Sequence, residues 1–147
     1  MKRLIVVDIS SFIFRAFYAI RRLSSPEGVP VNAVHGVWNM MFKLLSQYNP
    51  SHIVIARDTG KPTFRHKMYD QYKANRTEVP EELIPQFPLI TQLVEKMNLS
   101  NIAMEGYEAD DIIGSVCVQW ENEFDEILIA SGDKDLMQFV SEKVKVL

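Results

Sequence analysis

Three short apolar runs decide most of what this chain can become. Leu4-Ile5-Val6-Val7, His52-Ile53-Val54-Ile55-Ala56 and Glu126-Ile127-Leu128-Ile129-Ala130 are hydrophobic at successive positions. A strand of that kind sends apolar side chains to both faces and must be covered on both. Amphipathic stretches at helical spacing separate the runs. Strands alternating with helices specify an α/β domain, three layers deep, with a mainly parallel central sheet. Ligands of such sheets bind beyond the carboxyl ends of the strands. Asp8, Asp58 and Asp133 stand at the ends of the three runs, so the fold is expected to gather them along one edge.

Between the runs the spacing predicts a helix over Phe12–Ile20, with Ser10 or Ser11 as its N-cap. Pro26, Gly28 and Pro30 make a loop. A second helix runs from Ala33 to Tyr48 with Val34, Val37, Trp38, Met41, Leu44 and Leu45 inward, and Asn49-Pro50 stops it. A third spans Pro80–Met97 with Leu83, Phe87, Ile90, Leu93, Val94 and Met97 inward. Short strands are expected at Asn101–Met104 and Val144–Leu147, and a short helix at Leu136–Phe139. With 147 residues, 47% of them hydrophobic, one domain is expected. A single cysteine excludes a disulfide framework, and with three scattered histidines it argues against structural zinc. The opening apolar run is short and ends in an acid, unlike a signal peptide. No stretch approaches the ~18 apolar residues of a membrane span. A cytoplasmic protein without membrane or disulfide partners is expected.

The densest acidic feature is Gly106-Tyr107-Glu108-Ala109-Asp110-Asp111, followed at helical spacing by Ile112, Ile113, Val116, Cys117 and Trp120. The N-terminal dipole of a helix accounts for one acid there. Three, with Asp8, Asp58, Asp133 and Asp135 converging from other strand ends, point to a divalent-metal site. Glu108 and Asp111 share a helix face, and Asp110 is expected to point elsewhere unless the first turn is irregular. Packed carboxylates repel one another, and hard oxygen donors without a His/Cys set favour Mg²⁺ or Mn²⁺. So many acids could hold two ions, suited to clamping the oxygens of a phosphodiester hydrolysis by activated water. Ser10 and Ser131 read as caps or turn residues, and His35, His52 and His66 take no catalytic role.

Net charge is −3, but its distribution is uneven. Five basic residues against Asp8 occupy positions 1–24, and five against Asp70 occupy 61–76, whereas 100–147 hold eleven acids and three lysines. In the stretch Thr63–Arg76, Tyr69, Lys73 and Arg76 fall on one helical face, and Arg65 and Tyr72 lie about two turns apart. Cations neutralise phosphates and tyrosines stack on bases. A solvated helix face is the plainer reading of such a charge run. Its place directly after Asp58 favours guidance of phosphate toward the acids.

The motifs LIVVDISSFIFRAFYA, PTFRHKMYDQYKANR, GYEADDIIG and SGDKDLMQF, with the loop and helix from Gly28 to Leu45, resemble the N-terminal catalytic part of bacterial 5′-3′ exonucleases and flap endonucleases, including the nuclease domain of DNA polymerase I. The resemblance covers essentially the whole chain. It implies a PIN-like (resolvase-like) domain over residues 1–147 and metal-dependent cleavage of DNA at junctions and 5′ ends, with two Mg²⁺ or Mn²⁺ ions. It implies DNA with 5′ ends or flaps as partner, alongside a DNA polymerase. By matching motifs, Asp8, Asp58, Glu108, Asp110 and Asp111 resemble a first metal group, and Asp133 and Asp135 continue toward a second. Lys73 and Arg76 resemble the basic, catalytic residues of a helical gateway over the site. Arg65 and Tyr72 join them in DNA binding. Phe14 and Tyr18, with Arg15 between them, lie where family members place rings against terminal bases, although core packing is the plain reading of Phe14. Two departures stand out: Ile9 follows Asp8 where the family usually has glycine, and Arg57 precedes Asp58 where it often has phenylalanine. The family also continues into a further aspartate group and a helical DNA clamp, which the 147 residues do not include. Two competing expectations follow from the residues: a nucleic-acid-binding module or truncated fragment with weak catalysis, and a receiver- or phosphatase-like domain resting on Asp8.

Overall fold

The computed structural model describes residues 1–58, 79–104 and 107–147. Five parallel strands make its sheet: β1 (Arg3–Asp8), β2 (His52–Ala56), β3 (Ser100–Ile102), β4 (Glu126–Ala130) and β5 (Val144–Val146), in the order β3-β2-β1-β4-β5. Among the described residues four helices flank it: α1 (Ile9–Ala19), α2 (Asn32–Tyr48), α3 (Gln86–Lys96) and α4 (Ala109–Trp120). Two 3₁₀ segments, Glu121–Glu123 and Lys134–Phe139, complete the described elements. Successive strand residues feed opposite layers. Ile5, Val7, Ile55, Leu128 and Ala130 join a core with α1, α2 and α3. Leu4, Val6, Ala56, Ile127 and Ile129 join a second core with α4, Leu136 and Val144. Each Val, Leu or Ile among them stabilises the fold by roughly 1.5–3 kcal/mol when fully buried, which is why unbroken apolar runs are required here. Among the described residues no helix is long and apolar enough to cross a membrane.

The helices on the first face are joined by buried polar side chains. The N-cap of α2, Val31, supplies no side-chain acceptor. Gln86, fully buried, takes that part from far along the chain: its Oε1 accepts from the Ala33 and Val34 N–H groups at 2.8 and 3.2 Å. Its Nε2 donates to Asn32 Oδ1 at 2.8 Å. Asn32 Nδ2 in turn donates to the carbonyls of Phe17 and Ile20 at the end of α1. The orphan backbone groups of two helix ends are thereby satisfied. α1 and α2 approach closely at Gly36, where an added Cβ would stand 2.5 Å from Ala16 Cβ.

Several expectations are corrected. The N-cap of α1 is Asp8, whose Oδ1 accepts from Ser11 N–H at 3.3 Å, so the helix begins directly at the strand end. Trp38, expected inward, is 46% exposed. It sits one residue, hence about 100°, from the buried Val37. The third helix starts at Gln86 rather than Pro80, because Pro85 disfavours helical backbone before it. Leu83 is nonetheless fully buried in the preceding turn. At the amino ends of the strands, Arg3 Nε meets Glu126 at 2.7 Å and Lys145 Nζ meets it at 3.1 Å, tying β1, β4 and β5. The hydrogen bond from Arg3, then that from Lys145, holds the Glu126 carboxyl below its ordinary range.

Candidate metal centre

Parallel register brings the strand-end residues level. Asp8 lies opposite Ala56 on β2, and Val7 opposite Ala130 on β4. Asp8 therefore neighbours both Asp58 and the turn Ser131-Gly132-Asp133. It is 5% exposed, and its Oδ2 accepts from Ser131 Oγ at 2.8 Å. Burial pushes its pKa up; the hydrogen bonds from Ser131 and Ser11 oppose this, and the charges of Asp58 and Asp133 add to it. Ser131 Oγ also accepts from Asp133 N–H at 3.1 Å, and Gly132 N–H donates to Ser11 Oγ at 2.7 Å. The two strand ends are thus stitched by serines. Ser11 and Ser131 aim the acids, a role that the reading as caps and turn residues did not reach.

The acidic motif enters from α4. Glu108 is the N-cap and is 7% exposed. Asp111 closes a capping box, its Oδ2 accepting from Glu108 N–H at 2.9 Å. The amino end of α4 is pinned to β2, because Ala109 N–H donates to Asp58 Oδ1 at 2.7 Å. Ser10 Oγ reaches the other oxygen of Asp58 at 3.3 Å. Asp110 is the surprise. Instead of pointing away, it hydrogen-bonds the Asp133 side chain and feels the charges of Asp133, Asp8 and Glu108. Burial first, then the bond to Asp133 and these charges, pushes its pKa up to about 7. Asp111 turns its Oδ2 back onto the Glu108 N–H, and Asp110, expected to point elsewhere, meets the acids of the sheet. Asp133 N-caps the following 3₁₀ turn by accepting from Asp135 N–H at 2.9 Å. Asp135 and Asp111 line a cleft of about 830 Å³ with Glu108, Asp110 and Lys134.

Asp8, Asp58, Glu108, Asp110 and Asp133 thus form one electrostatic cluster, with Asp111 and Asp135 beside it. Among the described residues, no three His, Cys, Asp or Glu side chains converge into a ready-made metal shell. Their oxygens are turned toward serines, backbone N–H groups and each other. The donor set nevertheless fits a hard divalent cation in kind: every acid is a carboxylate, and burial with the neighbouring negative charges raises the pKa of Asp110, a strain that a cation would relieve. Phe14 is half-buried against the core of the first face, as its plain reading anticipates, and also borders a cavity beside Asp58. Tyr18 is 69% exposed. Arg15 lines a different groove, between α1 and α2. Arg65, Tyr72, Lys73 and Arg76 lie outside the described residues, as do Glu105 and Gly106.

A parallel α/β sheet whose carboxyl edge carries five to seven acids defines the resolvase-like, PIN-like class of domain. The chain belongs to the family of the 5′-3′ exonuclease, N-terminal resolvase-like domain, which matches residues 3–147. It is 41% identical over 145 residues to DNA polymerase I of Bacillus caldotenax and 46% identical over 149 residues to that of Rhizobium leguminosarum. These alignments take in 99% and 96% of the chain but 16% and 15% of the relatives. The fold is also that of the flap endonuclease D15 of bacteriophage T5, solved as a pseudo-enzyme-product complex with DNA and metal ions. There the TM-score is 0.77 at 21% identity, over 99% of this chain and 54% of the phage protein.

Proposed function

We propose that this chain is the catalytic unit of a metal-dependent nuclease that hydrolyses DNA phosphodiesters at 5′ ends and flaps. The observation that carries the reading is the Asp110–Asp133 carboxyl pair, built against Asp8, Asp58 and Glu108 at the carboxyl edge of the sheet. A fold that brings these acids together and raises the pKa of one of them has made a place for positive charge. Asp8, Asp58, Glu108, Asp110 and Asp111 would hold a first Mg²⁺ or Mn²⁺, and Asp133 and Asp135 would contribute to a second. Such ions supply Lewis-acid charge to the attacking water and the leaving oxygen. Ser11, Ser131 and the Ala109 N–H hold the carboxylates in place. Asp110 would serve as a ligand in its ionised form. The fold shared with the phage flap endonuclease, a protein solved with DNA and metal ions, supports the same reading.

Lys73 and Arg76 are the proposed cationic gateway residues, with Arg65, Tyr72, Phe14, Arg15 and Tyr18 as further DNA contacts. The relatives in which the matching segment occurs are DNA polymerases; we therefore place this domain's work beside a polymerase, in the cytoplasm. The test is a gel assay on a labelled 5′-flap duplex with Mg²⁺, Mn²⁺ or EDTA. Metal-dependent release of the flap is the expected result. Cleavage that persists in EDTA, or DNA binding with no cleavage in either metal, would remove the reading, and the latter would leave the binding module in its place.

A further inference from the structure

We propose that Arg57, aimed by Asn101, binds a phosphodiester of the DNA strand beside the acid cluster. The inference rests on the nuclease reading above and adds a residue to it.

Arg57 follows β2 directly, next to Asp58. Its backbone N–H continues the pairing with β3 by donating to the Ile102 carbonyl at 3.0 Å. Its Nε donates to Asn101 Oδ1 at 2.8 Å, which fixes the plane of the guanidinium on the β3 side of the site. Asp58 is an immediate chain neighbour, yet the two form no ion pair. Asp58 gives one oxygen to Ala109 N–H and the other to Ser10 Oγ. Among the described residues Arg57 makes no other side-chain hydrogen bond, so both terminal nitrogens of the fork are open.

A planar fork with Nε already anchored presents two parallel donors, the geometry that suits two phosphate oxygens. The surroundings give it room. Arg57, Asp58, Ser10 and Asn101 border a cavity of about 430 Å³, with Phe14 and Phe87 also among its walls. They also give it a task. A phosphodiester approaching five carboxylates is repelled, and the repulsion is not well screened at short range. Among the described residues that line the two cavities flanking the acids, Arg57 and Lys134 are the cations. Lys134 faces the α4 side and Arg57 the β3 side, so a strand crossing the edge of the sheet needs Arg57 on its near flank. A bond to Asn101 rather than to a carboxylate leaves the full charge of Arg57 for that strand.

The experiment is fluorescence anisotropy with a labelled 5′-flap duplex in EDTA, over a series of salt concentrations, paired with Mg²⁺-dependent cleavage kinetics. Arg57→Ala should weaken binding on the order of tenfold, the contribution of a charged hydrogen-bond pair. It should lower the log–log salt slope by roughly one unit. KM should rise with little change in kcat. Arg57→Lys should restore the slope but only part of the affinity. Asn101→Ala should weaken binding with the slope kept, as befits a positioning residue. Thermal melting of each variant separates these effects from misfolding. If the parent protein binds and cuts DNA while Arg57→Ala keeps its slope and KM, this inference alone is overturned. If the parent neither binds nor cuts DNA, the nuclease reading fails and takes this inference with it.

Discussion

At the scale of single residues, the carboxyl of Asp110 carries a definite pH signature. In the unfolded chain an aspartate titrates near ~3.9, whereas Asp110 in the fold titrates at about 7. Between those values the folded state keeps a proton that the unfolded state has lost. The stabilisation from this group is complete below about pH 4 and disappears as pH rises through about 7. The metal-free protein should therefore melt at a lower temperature at about pH 8 than at about pH 5, as far as this group governs. Asp110→Asn should flatten that slope and raise the melting temperature at the higher pH by roughly 2–4 °C, the shift made by about 1 kcal/mol in a domain of this size. Scanning calorimetry across pH measures it, and an unaltered profile in the variant would assign the titration to another acid such as Asp8. Asp111 behaves differently: Asp111→Asn keeps an acceptor for the Glu108 N–H, so it should leave both profile and stability nearly unchanged.

Among elements, the seam between α1, α2 and α3 depends on Gln86. Its amide satisfies two N–H groups at the start of α2 and the side chain of Asn32. Gln86→Leu keeps the apolar bulk but leaves those groups buried without partners, at about 1–3 kcal/mol for each that water cannot reach. Urea unfolding should show a lower midpoint with an unchanged m-value; a loss under ~0.5 kcal/mol would mean that water replaces the amide. Gly36→Val tests the neighbouring contact. A side chain there collides with Ala16 and Ile20, and overpacking costs about 1–3 kcal/mol. Gly114 of α4 makes a comparable approach to the ring of Phe139, which is packed against the second core, so the same change there tests that seam.

Across the whole molecule, the charge on the carboxyl edge of the sheet couples folding, protons and cations. A ligand that binds only the folded state stabilises it by about 2.7 kcal/mol at a concentration one hundred times its Kd. Mn²⁺ or Mg²⁺ should therefore raise the melting temperature, and EDTA should reverse the gain. If Asp110 is a metal ligand it coordinates without its proton, so binding should release protons when measured below about pH 7. Calorimetric titration with Mn²⁺ in two buffers of different ionisation enthalpy reads that release directly. Identical heats in both buffers would separate the Asp110–Asp133 pair from metal binding. Asp8→Asn should abolish most of the thermal gain.

The chain alone determined the three long strands, the parallel α/β arrangement and the edge on which the acids meet. Those features rest on periodicity and on residues that follow a strand directly, both of which are local. Leu4 to Val7 can be stable only between two layers, and Asp8 cannot lie anywhere but at the end of that strand. The tertiary structure decided which acid works inward. Asp110 and Asp111 differ by about 100° around a helix, and the pinning of Ala109 to Asp58 sets the rotation of α4. It also decided the partners: Ser131 with Asp8 across 123 positions, Gln86 with the start of α2 across 53, and Arg57 with Asn101 across 44. Serine, glutamine and asparagine have no periodicity that announces a distant partner. Which donor meets which acceptor is settled by strand register and helix packing, because a hydrogen bond needs its atoms within a few tenths of an ångström of ideal.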